Sequence, residues 1–453
     1  MREILNPNRN HNLNLKALEF SPSKIPQPNV NYDFDLAVIG GGAGGFFTAL
    51  QAAQLNPALR VAVFEQGSHF LQKVRISGGG RCNVTHACFE PELLSQHYPR
   101  GQRALRAAFH RWQPRDTVQW FAERRVVLKT EVDGRMFPVS DDSQTIIDCF
   151  LSEARKSKVL LQTHCGLQNF APLADANAWQ LQFDNPAFAS LTCRYLCLAV
   201  GSLKSSRLQN RLQALGHTIA PLAPSLFALN CSDRRISGLA GVSVSLASVG
   251  LADSKKRYQG PLLITHRGLS GPAILRLSAW EARVFAERNY HTEICVDWLP
   301  QLDTNRIENW MDQQRMENGT KSVHNTSPSE LPKRLWLKLC ESADCADSLA
   351  WNQVSKNQRR QLVEAIKDCR FKVTGKTTNK DEFVTCGGVA LKDVDFRRME
   401  SKHCPKLYFC GECLDIDGIT GGFNFQAAWT TATIAAKSIA EAAAGSFNRG
   451  HED

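Results

Sequence analysis

Gly40, Gly42 and Gly45 follow an apolar run, Asp35-Leu-Ala-Val-Ile39, in G-x-G-x-x-G spacing. An Ala-rich apolar segment, Phe46 to Leu55, comes next, then a second apolar run, Val61–Phe64, ending in Glu65. These residue types in this order suit the holding of a dinucleotide. Gly40 permits a tight turn out of a strand, Gly42 lets backbone approach a pyrophosphate, and Gly45 lets helix and strand pack closely. The helix that follows offers unpaired N–H groups and a partial positive charge to the phosphates. Glu65 lies 20 positions after Gly45, where a carboxylate can accept hydrogen bonds from a ribose diol. An acid there disfavours a 2′-phosphate, so FAD or NAD fits better than NADP. A glycine turn without a ligand would not also require the strand, helix, strand and acid in sequence.

A second glycine cluster lies in Lys73-Val-Arg-Ile-Ser-Gly-Gly-Gly-Arg-Cys-Asn-Val-Thr-His86. Three consecutive glycines suit neither helix nor strand, so Gly78–Asn83 is expected to be a loop whose backbone approaches a ligand. Arg81 supplies a fixed cationic fork, and Asn83 both donor and acceptor. A third cluster, Gly411-Glu412 to Gly421-Gly-Phe-Asn424, follows a strand at Leu407–Cys410 and opens an Ala-rich helix expected from about Asn424 to Ala443. It lacks the full fingerprint and so is not a second dinucleotide fold, but it aims another helix N-terminus at a ligand.

The elements that must position these clusters can be read in outline. Residues 102–125 predict two helices divided at Pro114, with Leu105, Phe109, Trp112, Trp120 and Phe121 as core candidates. Residues 143–157 predict another helix, and Val159–Thr163, Trp179–Phe183 and Cys193–Val200 predict strands. From about Leu222 the texture changes: Val242–Val249, Pro261–Thr265, Ile294–Leu299 and Phe371–Val373 read as short strands of a small β-barrel or sandwich. Amphipathic stretches near 304–317, 331–342 and 355–368 predict a helical subdomain. The expected organisation is a flexible extension (1–31), a Rossmann-like α/β FAD-binding domain (32–221 and 386–445), a β-barrel-like insert (222–302 and 369–385), a helical insert (303–368) and a short tail (446–453).

Composition sets outer bounds. The chain has 453 residues, 43% hydrophobic and 22% charged, enough for two or three domains. No apolar run is long enough to span a bilayer, and the N-terminus lacks a signal-peptide pattern, so a cytoplasmic protein is expected. The 15 cysteines are odd in number and many sit in apolar runs (Cys193, Cys197, Cys295), reading as small buried hydrophobes in a reducing compartment. Cys410-Gly-Glu-Cys413 has C-x-x-C spacing but no partner pair, so a structural reading is preferred and no metal site is expected. The formal charge of +10 is dispersed, with density at Lys333–Lys338 and Arg359–Lys380. Interleaved acids favour a solvated face over a nucleic-acid interface.

Taken together, Gly40–Gly45, Ser77–Asn83 and Gly411–Gln426, with Thr265-His-Arg-Gly-Leu-Ser-Gly-Pro272 and Met399-Glu-Ser-Lys402, resemble the BaiN-like flavoprotein family, also labelled aminoacetone-oxidase-like. The resemblance runs from about residue 33 to near the C-terminus. It implies FAD on a glutathione-reductase-type domain carrying an inserted β-barrel and a small helical domain. It implies pyrophosphate contacts from Gly40, Gly42, Ala43 and Gly45, and an adenosine-ribose contact from Glu65, with Gln66 and Lys73 nearby. Gly80, Arg81, Cys82 and Asn83 would pass beside the cofactor. Gly411, Glu412, Asp417, Gly421, Gly422, Phe423 and Asn424 would lie by the ribityl chain and isoalloxazine, with Gly422–Asn424 donating to the flavin. The return strand ends in Ala199-Val-Gly-Ser-Leu-Lys-Ser-Ser206, shorter and less glycine-rich than the family's pattern, with Gly201 as its cofactor contact. The implied activity is FAD-dependent transfer of hydride to or from a small organic substrate, with NAD(P)H as a transient reductant of an activated C=C bond. Amine oxidation by O₂, or a flavin-stabilised binding protein with a basic surface, are the alternatives. His266, beside Gly268 and Gly271, is the proton-transfer candidate.

Overall fold

The computed structural model describes residues 32–173, 177–377 and 384–447. The extension expected over 1–31 and nearly all of the tail expected over 446–453 lie outside them.

Apolar runs at Phe34–Ile39 and Val61–Phe64 are sheet interior. They pair in parallel, Leu36 opposite Val61 and Ile39 opposite Phe64. Leu160–Gln162 flanks Val61–Phe64, while Ser190–Leu198 and then Leu407–Phe409 continue the parallel ladder on the other side. Strands covered on both faces need no polar alternation, hence the unbroken Val, Ile and Leu runs. Leu167–Leu173 and Ala178–Phe183 run antiparallel into Ser190–Leu198. The first of these is not evident in the sequence, because only Phe170 of its seven residues is buried and Gln168, Asn169 and Pro172 mask the pattern.

Two helices lie side by side on this sheet. Ala43–Leu55 and Phe423–Phe447 are apolar nearly all round, as expected of helices buried against both sheet and neighbour. Gln51 Nε2 donates to Thr433 Oγ1 between them at 3.4 Å. Pro114 starts the helix Pro114–Glu123 at its first turn, after Gln102–Phe109 has ended. Phe47, Trp120, Phe150 and Trp429 meet in one aromatic cluster, with Phe47 and Trp120 centroids 4.8 Å apart and Phe47 and Trp429 5.1 Å apart.

A second hydrophobic core gathers residues 227–373. Its seven-stranded sheet runs Cys369–Val373, Thr292–Asp297, Ser243–Leu251, Tyr258–Thr265, Gly268–Ser270, Ala228–Asn230, Gly375–Thr377. Only Thr374 separates the first and last segments of that path, so the ladder returns on itself. Helices Thr304–Glu317, Lys333–Ser342 and Lys356–Lys367 join this core through Trp310, Trp336 and Trp351. Ile219–Ser225 and Val384–Val389 pair antiparallel on either side of it in the chain, so the Cys386–Val389 stretch is strand. The 15 cysteines are free, and all but Cys88 are buried. Among the described residues, no helix is long and apolar enough to cross a membrane, and no His, Cys, Asp and Glu cluster is set to hold a metal.

Candidate functional site

The first glycine turn leaves its helix end open. Gly42 caps Ala43–Leu55 with no side-chain bond, and the first turn carries no acid. A β-carbon on Gly45 would lie 1.9 Å from Gly40 O, which is why strand and helix can pack only through glycine there. A β-carbon on Gly42, by contrast, would meet nothing within 4 Å. The space beside Gly42 is therefore free of protein and faces unpaired helix N–H groups, which fits a pyrophosphate. Glu65 is oriented by two backbone donors, Gly41 N–H to Oε2 at 2.8 Å and Gly67 N–H to Oε1 at 2.7 Å. Gln66 is exposed just beyond it.

The loop Gly78–Asn83 lies where the two ends of the chain meet, but its side chains turn away from an open cradle. Arg81 pairs with Glu131 at 2.6 Å and Asp141 at 3.4 Å, and lies 3.9 Å over the Phe137 ring. Cys82 is wholly buried, and burial pushes its thiol up to about 12. Asn83 is buried; with its amide oriented by its neighbours, the nitrogen donates to Thr85 O (3.0 Å) and the oxygen accepts from Gly422 N–H (2.9 Å). Ligand contacts from this loop therefore fall to the backbone, and Gly79 and Gly80 have nothing within 4 Å of a built β-carbon.

The third cluster closes the site from the other side. A β-carbon on Gly44 would stand 3.2 Å from Cys410 Sγ, bringing the two helix starts together. Glu412 pairs with Lys73, accepts from Thr385 N–H at 3.0 Å, and would lie 3.8 Å from a β-carbon on Gly201. Asp417 is completely buried, chelated by Arg100 and bonded by Ser225 Oγ at 3.0 Å. Asn424 makes a two-point bond with the Gly418 backbone, 2.9 Å each way. Asp417 and Asn424 thus hold the loop from Gly411 to Gly422 in shape through their side chains, rather than reaching for a ligand with them. Because Asn83 takes the Gly422 N–H, the free donors of the long helix are the first-turn amides of Phe423 and Asn424. Cys410 and Cys413 are buried, the Cys413 thiol donating to Leu198 O at 3.2 Å. The C-x-x-C pair is packed core.

His266 stands exposed on the turn between Tyr258–Thr265 and Gly268–Ser270, and no hydrogen bond, ion pair or ring contact joins it to the glycine clusters. Two other histidines do reach them. His86 and His97 stack on Phe423, centroids 4.6 and 4.3 Å away. His86 Nε2 lies 3.1 Å from Asp133 O, so that nitrogen carries the proton and donates, leaving Nδ1 as a buried lone pair without a partner. Nothing in their local sequence marks them; only the antiparallel pairing of Thr85–His86 with Arg135–Met136 and the bond from Ile419 N–H to His97 O bring them beside Phe423. Burial, with His86 and Arg276 nearby, lowers the His97 imidazole to about 4. The unfolded imidazole takes its proton near the ordinary value, so this contribution to stability is present above about pH 6.5 and lost as pH falls toward 4. Melting midpoints measured from pH 7 to 4 are expected to fall less steeply in His97→Phe; identical profiles would exclude this role.

Strand, open glycine turn, acid and a second glycine-opened helix packed beside the first define an FAD-binding Rossmann oxidoreductase. The sequence profile described as HI0933-like protein Rossmann domain matches residues 34–438, and the chain belongs to that family. Relatives agree over nearly the whole chain. The Ribosomal RNA dihydrouridine synthase of Escherichia coli (strain K12) is 29% identical over 416 residues, 90% of this chain and 98% of that protein. The protein of the same name from Haemophilus influenzae is 29% identical over 422 residues, 89% and 97% of the two chains. The 3-dehydro-bile acid delta(4,6)-reductase of Clostridium scindens is 25% identical over 414 residues, 90% and 99% of the two chains. The resemblance to BaiN-like flavoproteins therefore holds, and the protein is an FAD-dependent oxidoreductase of this family.

Proposed function

We propose that the protein reduces a C=C bond conjugated to a carbonyl group, with NAD(P)H as transient reductant of the flavin. The observation that carries this is the meeting of two helix N-termini, Ala43 and Phe423, beside an open Gly42 and a backbone-oriented Glu65. FAD bound there supplies two-electron chemistry, giving or taking a hydride equivalent. The protein's own part is positional and electrostatic. Gly40, Gly42, Ala43 and Gly45 would hold the pyrophosphate and Glu65 the adenosine ribose. Lys73, Gly201 and Glu412 would flank the ribityl chain, and the first-turn amides of Phe423 and Asn424 would offset negative charge on the reduced ring.

The substrate class rests on the relatives' names. A uracil ring and a 3-oxo-4,6-diene share one feature, an alkene polarised by a carbonyl. Hydride addition β to that carbonyl, with a proton added at the α carbon, saturates either. No second G-x-G-x-x-G is present for nicotinamide, so NAD(P)H would visit the flavin face rather than occupy a fold of its own. We read the returning seven-stranded sheet as a barrel-like insert and the helices of 304–367 as its helical companion, both on the substrate side. The +10 charge gives an anionic substrate such as RNA an electrostatic path to that side.

The test is anaerobic mixing of the yellow protein with NADH or NADPH. Flavin bleaching is expected, followed by recolouring when either an unmodified ribosomal RNA transcript or a 3-oxo-4,6-diene steroid is added. Bleaching by a primary amine and recolouring by O₂ would favour amine oxidation instead. A protein that takes up no FAD would remove the reading altogether.

A further inference from the structure

Around Glu412 the structure leaves two hydroxyls without partners. Thr385 is only 4% exposed, and its Oγ1 makes no hydrogen bond, although its own N–H donates to Glu412 Oε1 at 3.0 Å. Ser202 Oγ is likewise buried and unpaired, one residue after Gly201, whose built β-carbon would stand 3.8 Å from Glu412 Oε2. Buried hydroxyls are nearly always satisfied, because an unmade bond costs the desolvation of the group with no return. These two come from distant parts of the chain, the return strand's loop and the strand Val384–Val389, and they flank the same carboxylate. Glu412 in turn is oriented by Lys73.

We infer that Thr385 and Ser202 are cofactor-binding residues whose hydroxyls are completed by the flavin half of FAD, the ribityl hydroxyls and the polar edge of the ring. This rests on the FAD reading above and goes beyond it in naming two residues that no motif marks. The adenosine half lies with Gly42 and Glu65, on the first strand and helix, and Thr385 and Ser202 have no bond to either. The ribityl–isoalloxazine half is rich in groups that both donate to and accept from a hydroxyl, which is what two unpaired Oγ atoms beside a carboxylate call for. The loop Ala199–Ser206, with fewer glycines than its relatives' pattern suggests, then supplies a side-chain contact where backbone alone would otherwise serve.

Thr385→Val separates this from a merely structural role, because it keeps the shape and removes only the hydroxyl. In the FAD-free protein an unsatisfied buried group is lost, so the melting midpoint is expected to stay level or rise. In the FAD-bound protein a hydrogen bond is lost, so FAD affinity, followed by flavin fluorescence, is expected to weaken about five- to tenfold. ADP, which presents only the adenosine half, is expected to bind Thr385→Val and wild type alike. Ser202→Ala should behave in the same direction, and Thr385→Ser should restore most of the FAD affinity. Unchanged FAD affinity in both Thr385→Val and Ser202→Ala would overturn the inference, as would equal weakening of FAD and ADP, which would mean distortion of the fold. Wild-type protein that binds ADP but not FAD would instead remove the cofactor reading on which it stands.

Discussion

Gly42→Val is expected to strip the protein of FAD without unfolding it. The backbone at Gly42 is extended, φ −88° and ψ −170°, a conformation that a β-branched residue adopts readily. No protein atom lies within 4 Å of a built β-carbon, so the substitution meets no clash in the free protein. The branched side chain would fill the space in front of the helix N-terminus, where the pyrophosphate must approach the N–H groups. FAD affinity should fall on the order of 100-fold or more, while the melting midpoint of the FAD-free protein stays within a few degrees of wild type. The neighbouring Gly45→Val should do the reverse: its β-carbon would sit 1.9 Å from Gly40 O, so the free protein itself should melt early. FAD affinity in Gly42→Val within fivefold of wild type would mean that the phosphates bind elsewhere.

The second large effect is expected at the Arg100–Asp417 pair. Asp417 is 0% and Arg100 10% exposed, and both guanidinium nitrogens that face the carboxylate bond to it. Arg100 Nη1 also donates to Ala279 O at 2.6 Å, and Ser225 Oγ to Asp417 at 3.0 Å. The pair therefore joins the third glycine cluster, the segment before Gln102–Phe109 and the helix Pro272–Trp280. Burial pushes the Asp417 carboxyl up while Arg100 and Ser225 hold it down, and a bidentate contact of this kind is retained only as a pair. Asp417→Ala leaves a guanidinium buried without a counter-charge, and a cost of about 3–5 kcal/mol is expected. Against a typical net stability of about 5–15 kcal/mol that is enough to unfold a large share of molecules at 37 °C. Removing both charges, as in Arg100→Met with Asp417→Leu, should recover much of the loss in chemical denaturation. A double variant no more stable than Asp417→Ala would show that shape, not charge, sets the requirement.

These effects mark the limit of what is legible in the chain. The βαβ unit can be read because its signal is local: apolar strand, glycines at fixed offsets, apolar helix and an acid about one crossover later. The helices after Gln102, at Ser143–Lys156 and over Thr304–Lys367 can be read for the same reason, since periodicity and a proline boundary are properties of neighbours. The roles of polar side chains are not of this kind. Arg81, Asp417 and Asn424 have the donors or acceptors a cofactor would use, and in the fold their side chains engage Glu131, Arg100 and the Gly418 backbone instead. Residue type gives the capacity for a bond and not the partner, and Arg100 stands 317 positions from Asp417.

The converse holds for the residues that sequence reasoning passed over. His86 and His97 acquire a shared aromatic neighbour, Phe423, only when the two ends of the chain meet, and Ser202 and Thr385 come to flank Glu412 in the same way. By itself the sequence determined the fold class, the dinucleotide half of the site and the family, because glycine spacing and hydrophobic period depend on backbone geometry within a few turns. Only the tertiary structure decided which polar groups remain open beside that cradle. Burial and pairing depend on segments brought together by the sheet order and the two-core packing, and no short stretch of chain encodes them.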